Sequence, residues 1–77
     1  MNLYKISQEE NVGYDTYDAA IVCAFSEDDA KTIHPEGQWP DRWSSWCSSP
    51  NNVTVELIGT ALEDANRGIV LASFNSG

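Results

Sequence analysis

Short apolar runs alternate with polar stretches along this chain, and the runs are too brief for long helices. In residues 3–7, Tyr4 and Ile6 share one side at the two-residue period of a strand, with Lys5 opposite. Gln8 to Asp18 is polar and punctuated by Asn11 and Gly13, which predicts a long loop. Ala19 to Phe25 is continuously apolar and β-branched at its centre, which predicts a strand covered on both faces. Ser26 then offers a hydroxyl to the orphan amides of a helix start. The acids Glu27, Asp28 and Asp29 suit the positive end of its dipole. Ala30 and Ile33 would face the core, and Pro35 ends the helix after about two turns.

Residues 34–51 show no clear period and carry the tryptophans Trp39, Trp43 and Trp46. They predict a long connection with one helical turn from Pro40. Val53, Val55 and Leu57 alternate with Thr54, Glu56 and Ile58, as in a strand with one wetter face. Gly59 marks a bulge or the strand end. A turn over 62–68 leads to a last, largely buried strand, Ile69 to Phe74. The order β-β-α-β-β predicts a small α+β domain spanning 1–77. Its sheet is four-stranded and mainly antiparallel, with one short helix on one face and a long Trp-rich loop.

Length limits what such a domain can do. A chain of 77 residues buries only about 60% of its unfolded surface. A deep substrate cavity and a full core do not both fit. The hydrophobic fraction of 42% is too high for a disordered acidic tail. No apolar run approaches the roughly 18 residues of a membrane span, and the first residues do not resemble a signal peptide. Cytoplasmic residence is the expectation. Two cysteines make no disulfide framework.

Catalytic constellations are missing from the sequence pattern. His34 is the single histidine, Cys23 lies in the most apolar run, and Cys47 lies among the tryptophans. Neither a nucleophile–base–orienter set nor zinc-ligand spacing emerges from these three. The acidic clusters lack the calcium-loop pattern, and the glycines form no phosphate-cradling loop. The expectation is a binding protein with no catalytic residue, no metal and no cofactor.

Charge redirects attention to partners. The net charge is −8. Nucleic acid and anionic membranes repel such a protein, whereas basic surfaces attract it, including the channels that hold DNA or RNA. Glu9, Glu10, Asp15, Asp18, Glu27, Asp28 and Asp29 follow one another with no Lys or Arg between them. Tyr14 and Tyr17 are interleaved. Two readings of this block are open. One is a solvated face that keeps the protein soluble. The other is a docking patch whose carboxylates accept charge-assisted bonds from Arg side chains of a partner, with Tyr14 and Tyr17 as anchors. Trp39, Trp43 and Trp46 likewise read either as core closure or as a secondary hydrophobic patch. The sheet's edges or open face offer a route to a homodimer.

One resemblance adds a name to the partner. Tyr14 to Val22, the segment Ile33-His34-Pro35 and the close Val70 to Gly77 look like a family of small phage and prophage proteins. That family resembles anti-CRISPR inhibitors of type I systems. The likeness runs in the same order over most of the chain, with Gln38 to Asn52 as the variable part. It implies an inhibitor acting in the cytoplasm of an infected bacterium. Such a protein would bind a CRISPR surveillance complex and block its DNA site. The competing expectations are a phage assembly protein that uses its sheet edge or tryptophan loop, and a small-ligand-binding anti-defence protein.

Overall fold

The structure is a computed structural model and describes residues 1–39 and 45–75. Four strands form one antiparallel sheet: β1 (Asn2–Ser7), β2 (Thr16–Ala24), β3 (Thr54–Thr60) and β4 (Gly68–Asn75). A short helix, α1 (Glu27–Lys31), follows β2. The spatial order is β3-β1-β2-β4. The sequence therefore predicts the element order and the small α+β architecture correctly.

The alternation of β1 sets the inside of the domain. Tyr4 and Ile6 point to one face, with Ala20, Val22 and Ala24 of β2 beside them. Ala30, Ile33, Trp46, Cys47 and Val53 close over that face. The opposite face of the sheet has no described helix on it. This corrects the expectation that β2 is covered on both sides. Ala19 and Ile21 are only half-buried there. Continuous apolarity marked β2 as central, which it is, but five helical residues make only one covering layer. β4 is also not the buried strand predicted. It lies at the sheet edge, and Val70, Leu71 and Phe74 are exposed.

β2 begins earlier than its apolar run suggests. Thr16 and Tyr17 pair with Asn75 and Phe74, and the register shifts at Asp18. Tyr17 meets Phe74 edge-on at 4.8 Å, so a long-range aromatic contact recruits residues that read locally as loop. In β3 the register shifts opposite Leu3 and Tyr4, beside Gly59, where a bulge was expected. The expected helical turn at Pro40, with Trp43, lies outside the described residues. A 3-10 turn forms at Pro50–Asn52, capped by the Ser49 hydroxyl, which accepts from the Asn51 amide.

α1 is capped as its sequence predicts. The Asp29 amide donates to the Ser26 hydroxyl at 3.1 Å. The Asp29 carboxylate reaches back to accept from the Phe25 amide and grips Arg67 through two guanidinium nitrogens, Nε and Nη2. The loop 61–67 crosses the end of the sheet between its two edge strands, and this pair fastens that loop to the helix. Replacing Asp29 by Ala removes both contacts and should cost about 1–2 kcal/mol in urea denaturation.

His34 follows the helix and is buried. Its Nδ1 accepts from the Glu36 amide at 3.0 Å, and its ring meets Trp39 edge-on. Burial lowers its affinity for a proton below the ordinary value, 6.5, more than the Glu36 charge raises it. The unfolded chain therefore binds this proton more readily than the folded one, and stability should fall as pH drops below about 6.5. Asp29 acts lower. The Arg67 hydrogen bonds, then the Phe25 amide, hold its carboxyl below 3.8. Its contribution should vanish as pH falls below that value. Thermal melts between pH 8 and 3 should show two losses, and His34→Gln should flatten the upper one.

Candidate protein-docking surface

The loop between β1 and β2 is held by a buried glutamine. Gln8 Oε1 accepts from the Glu10 and Asn11 amides at 2.8 Å each. Its Nε2 donates to the carbonyls of Asn11 and Tyr17. One side chain thus fixes both ends of the loop. Asn11 Nδ2 then donates to the Trp46 carbonyl, joining the loop to the core. At the tip, Thr16 Oγ1 and Asn75 Nδ2 both donate to the Gly13 carbonyl. The Asp15 amide donates to the Asn75 carbonyl, and Asp15 sits at φ 60°, a conformation that Asp tolerates better than most residues.

This framework points four side chains outward with little left to order. Tyr14 is 74% exposed, and Glu9, Asp15 and Asp18 of the same segment are exposed too. Val12 adds an exposed apolar group beside Tyr14. A rigid loop gives up less conformational entropy on docking than a floppy one, so its contacts yield more affinity.

The other expected site residues behave differently. Glu10 is occupied: its carboxylate accepts from the Ser48 amide, the Ser48 hydroxyl and Asn52 Nδ2 at 2.8–2.9 Å. It staples the loop to the segment before β3. Tyr17 is half-buried against Phe74 and the core, so it is no free anchor. Asp29 is committed to Arg67. Glu27 and Asp28 are exposed but stand elsewhere. The Asp15 amide bonds to Asn75, at one end of β4, while Asp29 grips Arg67, beside the other end. The seven residue steps of β4 separate these ends by roughly 23 Å. The acidic block is therefore two clusters at opposite ends of the sheet. β2 lies between them in sequence and carries one part of the block to each end.

Of the tryptophans, Trp46 is fully buried in the core. It is not surface. Trp39 is half-buried and donates Nε1–H to the Thr32 carbonyl at 2.8 Å. Cys47 is buried, its thiol donates to the Ser49 carbonyl, and burial pushes its proton affinity up. Among the described residues, no group of three or more His, Cys, Asp or Glu comes together as a metal site, and no helix is long and apolar enough to cross a membrane.

Comparisons with family models, curated proteins and solved structures give no match. The surface must be read from its own chemistry.

Two of its residues escaped the sequence reading. Val12 carried a signal, an isolated apolar residue in a polar loop. Gln8 carried none, because its partners are backbone groups brought together by the hairpin.

Proposed function

We propose that this protein is a phage-borne, non-enzymatic inhibitor of the anti-CRISPR type. It binds the basic DNA-holding surface of a host CRISPR surveillance complex and blocks DNA entry. The observation that supports this reading is the hydrogen-bonded loop at 9–18, which carries the exposed side chains of Tyr14, Glu9, Asp15 and Asp18. Resemblance to the phage family supports the choice of partner. Carboxylates in this setting suit guanidinium groups that otherwise hold phosphates. Tyrosine is among the residues enriched in binding hot spots, which suits Tyr14 as an anchor.

The reading has a direct test. Purified type I surveillance complex, loaded with its guide RNA, is titrated with this protein and with target DNA. Mutual exclusion is the expected result. Affinity should weaken steeply as salt rises, because the attraction is screened over about 8 Å at physiological ionic strength. Simultaneous binding of protein and DNA, or no binding to any such complex, overturns the proposal.

A further inference from the structure

The uncovered face of the sheet departs most from an ordinary monomer surface. On β4, Leu71 is 68% exposed and Val70 is 61% exposed. Leu71 pairs with Ile21 of β2, and Val70 lines one shallow concavity with Leu3, Cys23 and Leu62. Leu62 is 79% exposed. These side chains line two concavities on this face, Ile21 and Leu71 one together with Lys5, and Leu3, Cys23, Leu62 and Val70 the other together with Asp64.

Charge decides what kind of partner fits. On the strands themselves this face carries Lys5 and, directly paired with it on β3, Glu56. The two cancel. Asp64 lines the concavity beside Val70 and Leu62, whereas the acids of the 9–18 loop and of α1 stand at the ends of the sheet. Two copies of a chain with net charge −8 repel one another, and on this face the acids are Glu56 and Asp64 against Lys5, fewer acids than stand at the loop end of the sheet.

Area is also sufficient. Four strands at about 4.8 Å spacing, each about six residues long, make a face of roughly 400 Å² in projection. Side-chain relief raises the accessible area above that. Two such faces together reach roughly the 1,000 Å² that a specific interface requires. Sheets stacked in this way pack about 10 Å apart with interdigitating side chains.

We infer that the protein self-associates into a face-to-face dimer, with Leu71, Ile21, Val70 and Leu3 of each copy covering the same side chains of the other. The inference is independent of the proposed target, because the docking loop stands at the end of the sheet and stays free in such a dimer. The edge strands keep their own hydrogen-bonding groups unpaired, which distinguishes this arrangement from edge-to-edge pairing.

Sedimentation equilibrium of the full chain tests it, over a concentration series at low and high salt. The expected mass is twice the 8.5 kDa of the chain. Added salt should strengthen the dimer by screening like charge, the opposite of its effect on the proposed target complex. Leu71→Lys places a charge on an exposed position and should fold normally, as circular dichroism can verify. It should weaken association about 100-fold or more, as expected for an unpaired charge in a buried interface. Lys5→Glu sets two carboxylates side by side on the same face and should do likewise. A wild-type chain that stays at 8.5 kDa throughout overturns the inference. So does a dimer indifferent to both variants, which would point to the edges. A monomer whose binding to the surveillance complex is lost on Leu71→Lys assigns the face to that partner and equally overturns it.

Discussion

Replacing Trp46 by Ala should remove a large share of the protein's stability at 25 °C. The side chain is fully buried and packs in the cluster that closes the inner face of the sheet. Truncating a buried tryptophan costs about 3–5 kcal/mol, through lost transfer energy and the cavity left behind. A domain of this length has only about 4–12 kcal/mol to lose. Trp46 also presents its carbonyl to Asn11, so its displacement loosens the docking loop as well. Trp39→Ala is the useful contrast. That ring is half-buried, and its Nε1 hydrogen bond is worth about 1 kcal/mol. Urea denaturation followed by far-ultraviolet circular dichroism should separate the two variants clearly. Equal, small losses would mean that Trp46 does not close the core.

This difference between two tryptophans marks a boundary of what sequence can say. Strand alternation in 3–7 and 53–55 and the Ser26–Asp29 cap are local patterns, and they translated into β1, β3 and α1, whereas Leu57, expected on the drier face of β3, is exposed beside the register shift. Each depends on neighbours within a few residues. The early start of β2 does not. It depends on Phe74 reaching Tyr17 across the sheet. The same holds for Glu10, which reads as one more surface acid until Ser48 and Asn52 arrive from elsewhere in the chain. Asp29 was legible as a cap residue but not as the partner of Arg67. The clearest divergence is the acidic block. In sequence it is one run without a cation. In space β2 divides it, because a strand of nine residues separates its ends by roughly 26 Å. Sequence proximity implied one face only because the intervening residues were read without their length.

That separation makes the two clusters testable one at a time. Ends more than 20 Å apart are more than two Debye lengths from one another at physiological salt, taking roughly 8 Å for each. They should act independently on a partner. The loop end should dominate. Its Glu9, Asp15 and Asp18 are exposed, as is Tyr14, whereas Lys31 and Arg67 offset the acids around α1. Glu9→Lys and Asp18→Lys reverse charge at the loop. Asp15→Asn is the better choice at the third position, because Asn tolerates the positive φ there and Lys does not. The triple variant should lose about 1,000-fold in affinity for the surveillance complex, several kilocalories of lost complementarity, and its salt dependence should flatten. Glu27→Lys with Asp28→Lys should lose less than about fivefold, as rim charges do. Tyr14→Ala alone should cost about 2 kcal/mol or more without changing the salt slope, since it removes an apolar anchor and no charge. Equal losses at both ends would assign the attraction to net charge. Unchanged binding in the triple variant would remove the loop from the interface altogether.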